Sequence, residues 1–344
     1  MPTIDFRSLN IQAFWSRKGP LNILLLPLSV LFGAVAMLRR CSYRFGLLGS
    51  DHPGVPVVVV GNLSAGGSGK TPFVIWLAQW LTAQGRRPGV VSRGYGREDA
   101  GLREVDADST AAQVGDEPLL IHLKTGVPVV VGADRLAAAR LLRERHSEVD
   151  IIIADDGLQH YRLRRDLELV LADAQAPFGN GWLLPAGPLR EPRIRLMGAN
   201  ALVLTQRNGT AADVSSPVPV FRVRHAPAGF RRLADNAHAA QLPDPGGREV
   251  QAVTGIARPQ AFFALLDRLG VPHRPRAFPD HHRFTASDIA GDAAVVMTEK
   301  DAVKCRSFAG PDWWALELAV VPDPALAEWL KARLDQPKAP PAPF

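Results

Sequence analysis

Val57-Val58-Val59-Val60-Gly61-Asn62-Leu63-Ser64-Ala65-Gly66-Gly67-Ser68-Gly69-Lys70-Thr71-Pro72 decides the fold. Four consecutive valines predict a buried strand, because a strand covered on both faces reads as an unbroken β-branched run. A glycine-rich turn follows, and Lys-Thr-Pro opens a helix. Strand, small-residue loop and helix N-terminus make a phosphate cradle. Backbone N–H groups of Ser64, Ala65, Gly66, Gly67, Ser68 and Gly69 can close around phosphate oxygens, and the helix dipole adds positive potential. Lys70 would reach the β- and γ-phosphates of ATP, and the Thr71 hydroxyl would ligate Mg²⁺. Pro72 falls in the first helical turn, where a missing N–H costs nothing. The pattern G-x-x-x-x-G-K-[ST] wants glycine at position 64, where this chain has serine; Gly66, Gly67 and Gly69 can supply the curvature.

Outward from this loop, strands and helices alternate. A helix is predicted over Pro72 to Gln84, then a strand at Pro88 to Ser92 leading into Ser92-Arg93-Gly94-Tyr95-Gly96-Arg97. Loops at the carboxyl ends of strands are where open α/β sheets bind ligands, so Arg93 and Arg97 are candidate anion contacts. Asp99 to Thr110 reads as a polar surface excursion. Gly115-Asp116-Glu117-Pro118 opens the next helix. Acids there can be plain dipole complements; beside a P-loop they can also be metal ligands or bases. Val149-Asp150-Ile151-Ile152-Ile153-Ala154-Asp155-Asp156-Gly157-Leu158-Gln159-His160 is a buried strand ending in acid, the Walker B pattern, whose aspartate can hold Mg²⁺ directly or through water. Phe178 to Arg195, rich in Gly, Pro and Arg, reads as a long functional loop or lid, from which Arg190 could approach a transferring phosphoryl group.

At the amino end, Leu21 to Leu38 is almost wholly apolar, interrupted by Asn22 and Ser29, with Arg17 and Lys18 before it and Arg39 and Arg40 after. That is short for a span, and flanking cations favour a helix in or near the cytoplasmic leaflet of a membrane. Towards the carboxyl end, Val218 to Arg224 reads as an exposed strand. Further strands are predicted at Glu249 to Thr254, Ala293 to Thr298 and Trp314 to Val321. Phe278-Pro279-Asp280-His281-His282 sets two histidines beside an aspartate, which suits proton transfer or, with less support from spacing, a metal.

The expected fold is therefore α/β, P-loop NTPase-like, with a mostly parallel sheet, helices on both faces and a smaller C-terminal α/β domain. The expected organisation is an apolar membrane-associating segment (1–40), a nucleotide-binding kinase domain (41–206), the smaller domain (207–335) and a disordered tail (336–344). The net charge is +6, and 33 of the 40 basic residues are arginine, which suits phosphate or an anionic surface. No aromatic-basic stacking pattern supports nucleic acid. Two distant cysteines, Cys41 and Cys305, exclude a disulfide framework.

Taken together, VGNLSAGGSGKTP, SRGYGR, GDEP, DDGLQH, LLPAGPLREP, VTGIARP, FPDHH and TEKDAVK resemble the tetraacyldisaccharide 4'-kinase family of Gram-negative bacteria over nearly the whole chain. Members of that family often lack glycine at the position of Ser64. The resemblance implies that ATP·Mg²⁺ phosphorylates the 4'-hydroxyl of a tetraacyl glucosamine disaccharide 1-phosphate, giving lipid IV-A. It implies a monomer at the cytoplasmic surface of the inner membrane. It further implies Asp116 as base, with His281 as partner. Glu117, Asp155 and Asp156 become metal-side acids, and Arg93, Arg135, His160 and Arg190 substrate contacts. Between His281 and His282 the reading prefers His281, which follows Asp280 directly; between Asp155 and Asp156 it leaves the direct ligand open. Asp116 and His281 fall in different expected domains, so domain closure is expected to complete the site. The alternative reading is a membrane-associated P-loop ATPase with no lipid acceptor.

Overall fold

Val57–Gly61 is the strand its valines predict, with all five residues buried. It is buried because it lies inside a sheet. Ile151–Asp155 runs parallel on one side and Leu167–Asp173 on the other. Ala201–Gln206 and the first part of Val220–Arg232 continue the sheet in parallel. The register sets Val60 opposite Asp155, so the P-loop and the acid leave adjacent strands at the same carboxyl edge. The computed structural model describes residues 11–206, 212–244, 246, 249–289 and 293–335. The expected tail, 336–344, and the first ten residues lie outside these.

The chain divides into two compact units. One comprises Met1–Lys70, Ile151–Arg224 and Val321–Phe344; the other comprises Thr71–Asp150 and His225–Val320. In the second unit, Pro88–Ser92 runs parallel to Val129–Val131, whose far edge pairs antiparallel with Arg103–Val105. The stretch expected as a polar excursion thus contains a short edge strand, anchored by buried Val105. The same unit holds Arg274–Ala277, Val250–Thr254, Ala294–Thr298 and Trp313–Pro322, parallel and in that order. Alternate residues feed two cores: Ala294 and Val296 enter one, Val295 and Met297 the other. Both faces are covered, as a parallel sheet requires.

The apolar amino-terminal stretch forms two helices, Pro20–Leu24 and Leu26–Arg44. The break falls just before Pro27, which cannot donate to a preceding turn. These helices are inverted relative to an ordinary amphipathic helix. Their polar residues, Asn22 and Ser29, are 2% and 3% exposed, whereas Leu24, Val30, Leu31, Val35 and Leu38 are each at least 60% exposed. The buried polar groups hold the Leu183–Ala186 loop: Ser29 Oγ donates to Leu183 O and accepts from Ala186 N, and Asn22 Nδ2 donates to Ala186 O. Among the described residues no helix is long and apolar enough to cross a membrane.

Candidate active site

The phosphate loop is shaped by two left-handed glycines, Gly66 (φ 112°) and Gly69 (φ 77°), a conformation that costs glycine nothing. Its curvature is then fastened from outside. Ala65 N donates to Pro188 O at 2.7 Å, Ser64 Oγ to Pro177 O at 3.2 Å, and Arg190 N to Leu63 O at 2.6 Å. Ser64 therefore acts as a tether between the loop and the 177–190 segment, which a glycine could not do. Lys70 Nζ donates to Asn62 Oδ1 at 3.3 Å and lies 3.6 Å from Asp156. Asp156 also receives Arg190 at 3.2 Å. Asp155 is buried at the strand end, and Asp156 takes a left-handed φ of 47°, which turns the chain sharply after it.

Behind this lies a buried ionic network. Arg195 Nη2 donates to both oxygens of Glu168 at 2.6 and 2.7 Å, and Arg165 joins at 2.9 Å. Tyr161 donates to Glu191, which also accepts from Gln159. Gln159 Nε2 reaches Asn62 O at 3.1 Å, so the network braces the P-loop from below. Burial pushes the Tyr161 hydroxyl's pKa up, and the Glu191 charge adds to it.

In the second unit, three carboxyl-edge loops converge on the start of helix Asp116–Thr125. Gly115 has φ 93°, and a Cβ there would meet Gly94 Cα at 3.0 Å, so glycines let the SRGYGR and GDEP loops touch. His281 Nδ1 lies 3.1 Å from Asp116 Oδ2. Asp116 Oδ1 accepts from Glu117 N at 3.0 Å. His281 itself has φ 58°, and its N–H donates to Gly255 O. Buried Asp301 fixes that turn through Gly255 N and the hydroxyls of Thr254 and Thr298. Tyr95 packs on the imidazole, ring centroids 5.0 Å apart. Lys300 Nζ lies 2.9 Å from Glu117, 3.2 Å from His281 Nε2 and 3.9 Å from Asp116. Burial pushes the Asp116 carboxyl upward, but His281 and the charges of Lys300 and Lys304 outweigh it, and the net shift is downward. His281 shifts upward, chiefly through its pairing with Asp116, against burial and the Lys300 charge.

The geometry separates the two histidines. His282 stacks on Phe278 at 4.7 Å, meets Phe284 edge-on at 4.9 Å and reaches Asp288, a packing role. Neighbouring Asp280 is 4.0 Å from His281 Nε2; the short contact is to Asp116, 165 positions away in sequence (281 minus 116). Asp116 and His281 stand together within one compact unit, so the closure expected from their separation in sequence is not needed to pair them. Thr71 and Glu117 also lie in the second unit, Asp155 and Asp156 in the first. Arg190 joins the phosphate-loop cluster; His160 follows the Asp155-Asp156 turn, its N–H donating to Gly157 O. Arg93 is exposed, and Arg135 is buried with its guanidinium on Gly132 O and Ala133 O. Lys300, Tyr95 and Asn62 belong to these clusters but were not singled out by sequence. The signal for Lys300 was its place directly after a strand end.

A model of the family described as Tetraacyldisaccharide-1-P 4'-kinase matches residues 21–335. A tetraacyldisaccharide 4'-kinase of Thiobacillus denitrificans is 55% identical over 326 residues, covering 95% of this chain and 99% of its own length. One from Azoarcus sp. strain BH72 is 47% identical over 335 residues, covering 95% and 96%. A crystal structure of the "apo" form of LpxK from Aquifex aeolicus in complex with ATP matches with a TM-score of 0.79 at 32% identity, covering 91% of this chain and 99% of that one.

Proposed function

The chain belongs to the tetraacyldisaccharide-1-P 4'-kinase family, and within that activity we propose that Asp116, paired with His281, takes the proton from the 4'-hydroxyl as it attacks the γ-phosphate of ATP. The protein is a kinase of lipid A biosynthesis acting on a glucosamine disaccharide lipid. The observation that carries the base assignment is the 3.1 Å approach of His281 Nδ1 to an Asp116 carboxyl held in its ionised form. Phosphoryl transfer asks mainly for positioning and charge neutralisation. Lys70 and the P-loop amides hold the phosphates, Arg190 stands beside them, and Arg93, Arg135 and His160 are assigned to substrate.

Thr71, Glu117, Asp155 and Asp156 offer hard oxygen donors, which fit Mg²⁺. Among the described residues no three His, Cys, Asp or Glu side chains are grouped to hold a metal by themselves. That suits an ion held by one or two carboxylates together with nucleotide phosphates. When bound, Mg²⁺ neutralises charge on the β- and γ-oxygens. Residues 41–206 are assigned as the nucleotide-binding kinase domain, 207–335 as the smaller domain, and the protein acts as a monomer.

An acylated acceptor lipid supports a place of work at the cytoplasmic face of the inner membrane. Docking through the amino-terminal helices is supported by their inverted faces, apolar outward and polar inward, with Arg39 and Arg40 following the apolar stretch. The test supplies γ-labelled ATP and the lipid disaccharide 1-phosphate, either in anionic vesicles or in detergent. Label is expected in the lipid in both. Replacing Leu24, Leu31 and Leu38 by Gln should spare the detergent reaction and cut the vesicle reaction roughly tenfold or more, as expected when about three buried leucines are lost from a membrane contact. Equal vesicle rates would remove the docking role, and phosphate release without lipid label would favour the ATPase reading.

A further inference from the structure

Lys300 is the second residue of helix Glu299–Cys305, which follows strand Ala294–Thr298 directly. Its backbone is fixed by its neighbour. Lys124, in the last turn of helix Asp116–Thr125, grips Glu299 at 2.7 Å and Glu317 at 2.6 Å. That brace sets Lys300 against the first turn of the Asp116 helix. Its ammonium then faces Glu117 Oε1 at 2.9 Å and His281 Nε2 at 3.2 Å.

An ammonium has only hydrogens to offer. It can approach His281 Nε2 only if that nitrogen presents a lone pair. The ring's single proton then sits on Nδ1, facing Asp116 Oδ2 at 3.1 Å. A doubly protonated ring would drive an N–H into the ammonium and set a full positive charge against the carboxylate, weakening it as a base. The other groups facing the ring are Asp116, Asp280 at 4.0 Å and the Tyr95 ring; Lys304 acts on Asp116 from further back. Lys300 is the cation in contact with the imidazole among the described residues. We propose that Lys300 is a positioning residue that favours the neutral, Nδ1-protonated His281 ring, the form that sets an N–H 3.1 Å from Asp116 without cancelling its charge.

This inference rests on Asp116 being the base, so its test has a readout that needs no turnover. Full-length protein is labelled with ¹⁵N-histidine, and the His281 signal is assigned among nine histidines by its loss in H281Q. In K300Q the His281 pKa is expected to rise by about one unit, a tenfold gain in proton affinity. K300R should keep the wild-type value, because a guanidinium also only donates and is always charged. In parallel, the pH at which kcat reaches its alkaline plateau should move upward in K300Q, with KM for ATP unchanged, because the neutral ring is then populated only at higher pH. An unchanged or lowered His281 pKa in folded K300Q overturns the proposal. Should K300Q fail to fold, the wild-type ¹⁵N shifts at alkaline pH decide: an Nδ1-protonated ring supports it and an Nε2-protonated ring overturns it. The Asp116 reading fails separately, through near-normal kcat in D116N.

Discussion

The phosphate loop and the acid–histidine cluster are built in opposite ways. The loop is contiguous, sixteen residues from Val57 to Pro72, and is shaped by backbone conformation and main-chain hydrogen bonds. The cluster gathers Tyr95, Asp116, His281 and Lys300 from four places in the chain, and it is held by side-chain charge. The first design suits a generic ligand part, a polyphosphate, met by generic donors. The second suits the proposed tuning of one proton, which needs charges placed within a few ångströms of each other. A loop made of backbone is expected to tolerate side-chain change except at Ser64, Lys70 and Thr71. A cluster made of charges responds to every substitution, by amounts that depend on how directly each group meets the acceptor.

The largest effect is expected at Lys70, the cation of the phosphate loop. Lys70→Met should lower kcat by about 10³-fold and weaken ATP binding together, since it removes charge stabilisation present in both states. Normal ATP affinity in that variant, measured by calorimetry, would show that the amides alone bind the nucleotide. The histidines come next. His281→Gln should cost roughly 10- to 100-fold in kcat with ATP affinity kept, as loss of an orienting partner does. His282→Gln should leave kcat within about threefold and instead lose about 1 kcal/mol of stability, from the stacking on Phe278; a reversed ranking would mean the wrong histidine has been assigned.

The smallest effect is on stability against pH. His281 is shifted upward, so its contribution is complete below its unfolded value of 6.5 and lost as pH rises through the folded value. Asp116 is shifted downward, so its contribution is present above 3.8 and lost as pH falls. The difference in Tm between wild type and His281→Gln should therefore be widest between these two values and narrow on either side. A difference that stays flat with pH would mean that the contact is packing and carries no charge.

The same contrast explains what could be read from sequence. The phosphate loop, its strand and the Asp155 strand end are local patterns, and period and composition reveal them. The Asp116–Glu117 pair was ambiguous because acids at a helix start serve the dipole just as well. Lys300 lies in the TEKDAVK motif, whose local pattern gives it no role; only the fold sets it, half-buried, against the start of another helix. Arg274–Ala277 was missed as a strand because Arg-Pro-Arg-Ala lacks strand composition; it lies at the edge of its sheet, where proline is tolerated. Ser64 looked like a flaw in a motif, and the structure gives it a partner, Pro177 O.

The base role belongs, on this proposal, to Asp116 and not to the nucleotide side. It is tested most directly by measuring label transfer from γ-labelled ATP to the lipid disaccharide 1-phosphate by Asp116→Asn, alongside ATP affinity. The expected result is a kcat lower by roughly 10²-fold or more with ATP affinity unchanged. Near-normal kcat, or a loss explained wholly by weaker ATP binding, would contradict it.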